Sequence, residues 1–188
     1  MIIKIAVLGA PGVGKTFFIN SHETGGFEFE YKKTEKESIT IINFNTTKGQ
    51  IEAHLYDKME KPENADAYIL MFNPKDVGTI YHLFKYNDII SGKPVIPCAN
   101  KADLGDTGVN FHDIIKYLCH GECAQISVKN NYNIKNPILE IFRQKYGDLQ
   151  FVETKYIFMK IPSELYNHII KRISNNEKLL EEFKKSVW

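Results

Sequence analysis

The stretch Gly9-Ala10-Pro11-Gly12-Val13-Gly14-Lys15-Thr16 constrains this chain more than any other. It satisfies the pattern G-x-x-x-x-G-K-[ST] without a gap. Its glycines admit backbone conformations closed to other residues, so successive N–H groups can converge on an anion. The flanks suit the same geometry. Residues 2–8, Ile-Ile-Lys-Ile-Ala-Val-Leu, form a short apolar run with β-branched residues and read as a buried strand. Residues 15–21 read as the start of a helix, with Phe17 and Phe18 for the core. That helix adds its positive end to the anion site. Ala10, Pro11, Gly12, Val13 and Gly14 would then wall a phosphate cradle. Lys15 would reach the β- and γ-phosphates, and the Thr16 hydroxyl would take one position on magnesium.

The length of 188 residues suits one domain, or one domain with an appendage. A formal net charge of +1 provides no drive toward nucleic acid or a membrane surface, and neither is expected as a partner. Cys98, Cys119 and Cys123 are too few for a disulfide scaffold and suit a reducing compartment. Cys119-His120-x-x-Cys123 has no second Cys/His pair beside it, so it reads as thiols rather than half a zinc site. No apolar run approaches membrane-spanning length, and no secretory leader is expected ahead of the first strand. Ile2 and the final Lys-Ser-Val-Trp carry no lipidation signal.

Along the chain, residues 21–34 are polar, glycine-bearing and aperiodic, and read as a loop near the phosphate site. Residues 38–45 and 51–56 read as two strands joined by the turn Thr46-Thr47-Lys48-Gly49. Residues 58–66 read as a loop, and 67–72 as a continuous apolar central strand. Apolar residues at 77, 80, 81 and 84 predict a helix over 76–91. Strands follow at 94–99 and 124–127, and helices over 110–119 and from Pro137. This alternation predicts an α/β fold: a mostly parallel six-stranded sheet with one antiparallel edge strand and helices on both faces. The tail carries a stripe of Leu165, Tyr166, Ile169, Ile170 and Ile173, continued by Leu179, Leu180, Phe183 and Val187. It predicts a C-terminal helical extension over 153–188, either packed on its own domain (1–152) or docking a partner.

Further motifs follow in order. Asn100-Lys101-Ala102-Asp103 lies just after the strand at 94–99 and reads as N-K-x-D. A carboxylate there can accept both the N1–H and the exocyclic amine of guanine, a donor pair that adenine lacks. Asn100 would hold N7 and the loop, and the stem of Lys101 would lie along the base. Ser127-Val128-Lys129 follows the last strand, where a backbone N–H can meet guanine O6. Thr34 is spaced to close over magnesium and the γ-phosphate, and Asp57, at a strand end, suits an acidic partner of the same ion behind its first ligands.

With these residues in place the chain resembles the Ras superfamily of small GTPases, and within it the Ran branch. The resemblance runs from Ile3 to about Val152. Its more specific stretches are His22-Glu23-Thr24-Gly25-Gly26-Phe27-Glu28, Thr47-Lys48-Gly49-Gln50-Ile51, Ile69-Leu70-Met71-Phe72 and Ile126-Ser127-Val128-Lys129-Asn130-Asn131-Tyr132-Asn133. It implies a monomeric guanine-nucleotide switch that binds GTP or GDP with magnesium in the nucleus and cytoplasm. It also implies an exchange factor and transport receptors as protein partners. Phe27 would pack on the guanine or ribose edge, and Tyr31 falls at a switch-loop tyrosine. Lys15, Thr34 and the residue at 61 would form the hydrolytic set.

The chain departs from that pattern after Asp57. The family has a glycine and a glutamine where Glu60 and Lys61 stand here. A carboxylate near phosphate repels it, and an ammonium has no acceptor to orient a water. Pro11 occupies a glycine position where most side chains hinder hydrolysis. The connection from Asp57 to Ala67 is also too short for the usual second-switch helix. The tail is mixed rather than acidic, and the helix over 110–119 lacks a basic patch. Two readings follow: a nucleotide switch with weak or absent GTP hydrolysis, or a nucleotide-locked interaction module competing for Ran's partners. A P-loop kinase or ATPase is a third, opposed by Asp103.

Overall fold

The computed structural model describes residues 1–24, 38–59, 61–105, 111–116, 118, 122–153 and 159–162. Eight strands share one mixed sheet. They are β1 (Ile2–Gly9), β2 (Ser38–Thr46), β3 (Gly49–Asp57), β4 (Ala67–Phe72), β5 (Val95–Ala99), β6 (Ala124–Gln125), β7 (Phe151–Glu153) and β8 (Met159–Pro162). Their order is β6-β5-β4-β1-β3-β2-β7, with β8 also paired to β2. β1 runs parallel to β3 and β4, and β5 parallel to β4 and β6. β2 is antiparallel to β3, β7 and β8.

Alternation along β1 divides the core. Ile3, Ile5 and Val7 face the helices α1 (Lys15–Thr24) and α5 (Asn136–Tyr146), packing with Phe18, Ile19, Ile138, Ile141 and Phe142. Ala6 and Leu8 face the other side, where α2 (Val77–Tyr81), α3 (Asn87–Ile90) and α4 (Phe111–Lys116) lie. Ile80, Leu83, Ile90, Phe111 and Ile115 fill that layer. Every residue of β4 is buried, as expected for a strand covered on both faces. Phe44 meets Phe142 edge-on at 5.0 Å, and Phe72 meets Phe111 at 5.4 Å.

The α/β architecture agrees with the sequence, but three details need correction. The sheet has eight strands, not six, and β2 is not an edge. β7 pairs with it at residues 45–46 and β8 at 38–41. An unpaired edge would leave its N–H and C=O groups to water or to another chain, and the returning chain satisfies them instead. The expected helical extension over 153–188 therefore contains a strand at Met159–Pro162, and β7 crosses the boundary drawn at 152. Residues beyond 162 lie outside those described.

The single helix expected over 76–91 is α2, a 3₁₀ turn at His82–Tyr86 and then α3. Asp76 caps α2, its side chain accepting from the Gly78 N–H at 3.0 Å. The third correction is β6, which ends at Gln125. Ser127 instead bridges to Tyr132, so 124–127 is half strand and half turn. Among the described residues no helix is long and apolar enough to cross a membrane.

α1 carries one polar misfit. His22 is buried, meets Phe18 edge-on at 4.9 Å, and its Nε2 has no hydrogen-bond partner. Burial, and then the charge of Lys135, push its pKa down to about 4. The folded protein thus holds the ring neutral, while the unfolded chain takes up a proton near pH 6.5. Stability is complete above that pH and is lost as pH falls toward 4. Urea unfolding at pH 7.5 and pH 5.0 should show this group costing about 2 kcal/mol. His22→Leu should lose markedly less over the same interval.

Candidate functional site

The parallel strands deliver their carboxyl ends to one edge of the sheet, the usual location of a ligand site in open α/β folds. β1 ends at Gly9, whose φ is +150°. A Cβ there would lie 2.2 Å from the Met71 carbonyl oxygen on β4, so the strand can turn away only through glycine. The loop then passes Gly14, at φ +102°, where a Cβ would lie 2.5 Å from Asn100 Nδ2. Both glycines admit a close approach that any side chain would block.

That approach is used. Asn100 follows β5, is 4% exposed, and its backbone N–H donates to Phe72 O at 3.0 Å. Its Nδ2 donates to Val13 O at 2.9 Å, and its Oδ1 accepts from Val128 N at 3.1 Å. One side chain therefore joins the loop after β1 to the segment after β6.

Lys15 curls back along its own loop, its Nζ donating to Gly9 O at 3.0 Å and Ala10 O at 2.9 Å. Desolvation lowers its pKa. The Asp57 carboxylate opposes that shift and the Lys85 charge adds to it. Thr16 Oγ1 donates to Asp57 Oδ2 at 2.6 Å, and Asp57 is buried at the end of β3. A hydroxyl beside a carboxylate at the head of α1 is a hard-oxygen pair of the kind that takes magnesium together with phosphate oxygens and water. These two residues fit that ion.

At the other end of the site, Lys101 adopts a left-handed conformation, φ +70°, and starts the 3₁₀ turn Ala102–Leu104. Ala102 N donates to Ile126 O at 3.0 Å, which sets the turn against the strand ends. Ser127 Oγ donates to Asp103 Oδ1 at 2.6 Å and accepts from Asn130 N at 3.2 Å. Ser127 is itself locked by a reciprocal backbone pair with Tyr132 at 3.1 and 2.9 Å. The carboxylate plane is thus fixed before any ligand arrives.

Between these ends lies a cavity of about 470 Å³. Gly12 and Gly14 of the loop after β1 form one side, and Asn100, Lys101, Asp103 and Lys129 its polar side. Phe17 and Leu104 supply apolar walls. Such a slot suits a flat heterocycle, with a carboxylate at one end and a loop of amides at the other.

The structure brings together Gly12, Val13, Gly14, Lys15, Thr16, Asp57, Asn100, Lys101, Asp103, Ser127, Val128 and Lys129 through these bonds and this cavity. Ala10 is buried and Pro11 exposed on the same loop. Lys61 does not join them. It is exposed ahead of the 3₁₀ turn Pro62–Asn64. Lys93 Nζ holds that turn, donating to Glu63 O at 2.7 Å and Ala65 O at 2.8 Å just before the opposite ends of β4 and β5. Phe27, Tyr31, Thr34 and Glu60 lie outside the described residues.

Two walls escaped the sequence reading. Phe17 was given to the core, yet it also lines the cavity. Adjacent helical residues point about 100° apart, so Phe17 and Phe18 cannot share one face, and that was the available signal. Leu104 stands 48% exposed directly after Asp103 and forms part of the cavity wall.

No known family's sequence profile matches the chain.

Replacing Asn100 with Ala should remove both side-chain bonds and leave a buried carbonyl and amide unpaired. The expected loss is about 2–3 kcal/mol in unfolding free energy. Gly14→Ala should also destabilise, because its Cβ displaces the same amide. Denaturant midpoints with unchanged m-values would check both.

Proposed function

We propose that this chain is a guanine-nucleotide-binding protein of the Ras superfamily, Ran-like, with GTP hydrolysis weak or lost. The observation that carries the reading is the Ser127–Asp103 bond on one side of a cavity whose other side is the Gly12–Gly14 loop. It sets a fixed carboxylate across a slot from an amide-rich turn, which is what a guanine base with attached phosphates requires.

In this reading the backbone of the 10–14 loop and Lys15 bind the phosphates. Lys15 exchanges its two carbonyl partners for phosphate oxygens, which suit an ammonium better than neutral carbonyls do. Phe17 and the Lys101 stem pack on the base, and Asp103 selects it. Thr16 and Asp57 would hold magnesium, which neutralises phosphate charge when bound. A role in nucleocytoplasmic transport, with an exchange factor and transport receptors as partners, follows from the Ran-like stretches alone.

The hydrolytic half is weak in the same reading. Lys61 offers no acceptor for a water proton, and Pro11 stands where the resembled family has a glycine whose replacement hinders hydrolysis. Loss of one well-placed transition-state group commonly costs 10²–10³ in rate. Single-turnover assays should therefore give a rate about 10²–10³ below that of ordinary small GTPases. An ordinary rate would remove this half and leave the binding half intact.

Base choice tests the binding half. Inosine triphosphate lacks only the exocyclic amine of guanine. A hydrogen bond to a charged group contributes about 1.5–3 kcal/mol, so GTP should bind about tenfold or more tighter than ITP. Asp103→Ala should collapse that ratio toward one. Competition titrations that show no preference in the unaltered protein would reject the assignment.

A further inference from the structure

The connection between β3 and β4 is fastened at the amino ends of β4 and β5. Lys93 stands in the loop between α3 and β5, next to Pro94, whose carbonyl accepts from Tyr68 N at 2.9 Å. An ammonium carries three donors. Lys93 Nζ donates to Glu63 O at 2.7 Å, to Ala65 O at 2.8 Å and to Tyr68 Oη at 3.2 Å, so all three are used. Tyr68 is fully buried, and its hydroxyl donates in turn to Pro62 O at 2.9 Å. Three carbonyls of residues 62–65 thus converge on one ammonium and one buried hydroxyl.

The chain on either side is fastened as well. Asp66 N donates to Lys4 O at 2.8 Å and Lys4 N donates to Asp66 Oδ2 at 2.8 Å, a reciprocal pair with β1. Ala65 is 2% exposed and packs in the layer that holds Leu70 and Phe72 of β4. Ahead of the turn, Met59 packs on that layer and on the cluster of Ile39, Ile41 and Tyr56.

The cavity lies at the other end of β4, where Asn100 N donates to Phe72 O. The strand is six residues long, so about 16 Å separate its two ends. None of residues 62–66 lines the cavity. A ligand shifts a segment only through contacts that differ between the segment's two arrangements. Leaving the present one would strip an ammonium of its three acceptors and a buried hydroxyl of one, a cost that no ligand contact to 62–66 offsets.

We propose that Lys93 pins residues 62–66 in one arrangement whatever occupies the cavity, so that this surface does not report nucleotide state. The ligand clause rests on the nucleotide reading above; the pin itself does not. The exposed Glu63 and Asn64 then present the same face with GTP, with GDP or with neither.

The test is amide hydrogen exchange on the full chain, alone, with GDP, and with a non-hydrolysable GTP analogue, magnesium being present throughout. Exchange of the Asn64, Ala65 and Asp66 amides should agree within about threefold across the three states. A larger difference overturns the proposal. Lys93→Met keeps the apolar stem and removes the donors. It should speed those amides about tenfold or more relative to Ile69 in the middle of β4, the size of a lost hydrogen bond to a charged group. Tyr68→Phe removes only the hydroxyl and should speed them about threefold relative to Ile69, which keeps the pin testable if Lys93→Met does not fold. No excess over Ile69 in either variant overturns the pin. Calorimetric titration of the same samples separates the two readings. A chain that binds neither nucleotide overturns the ligand clause together with the nucleotide reading, and the variant comparison still decides the pin.

Discussion

The buried amide of Asn100 holds the site together. Its donor and its acceptor are spent on two different loops, Val13 on one side and Val128 on the other, and its own N–H is tied to β4. A buried primary amide is costly unless paired, and here the pairing sets the geometry of the site. The loop after β1, the Asn100–Leu104 turn and the Ser127–Tyr132 turn come from distant parts of the chain. Few other bonds among the described residues join them: Ala102 to Ile126, and Asp103 to Ser127. Gly14 exists in this arrangement to let that amide approach.

Around this clamp a charged side chain is held partly out of water. Lys15 is desolvated, and its nearest charged partner, Asp57, is engaged by Thr16. The lysine donates to two carbonyls of its own loop, which offsets part of that desolvation. The two apolar layers on either face of the sheet supply the packed scaffold on which these loops sit.

The site was largely legible in the sequence because its demands are local and severe. Glycines at fixed offsets, a lysine and a threonine at the head of a helix, and an N-K-x-D run after an apolar strand each state a backbone requirement that few other residues meet. What escaped was set by tertiary contact. β7 and β8 are three and four residues long, too short to show any period, and they exist because β2 offers them partners. The helix over 76–91 has adequate apolar spacing, yet it tightens at His82–Tyr86, where Leu83 and Tyr86 must reach the same layer as Ala6 and Leu8. The resemblance puts Lys61 at the site in place of a glutamine, whereas the residue stands exposed ahead of the Pro62–Asn64 turn. Residues 62–65 instead turn toward Lys93, and sequence spacing does not register such a change of direction.

The added strands bear on the site as well as on the edge. Ser38, the first residue of β2, pairs with Asp57, and Pro162, the last residue of β8, pairs with Ser38. A continuous line of strands therefore runs from the C-terminal side of the chain to the carboxylate that meets Thr16. On its other side β3 is held by β1, whose Val7 is the partner of Asp57. A strand clamped on both sides cannot shift register without moving every side chain to the opposite face. Asp57 is thus set by the sheet and not by the ligand, so the Thr16 bond forms within the chain itself. The sheet pairing on both sides of β3 is enough to fix where that carboxylate stands.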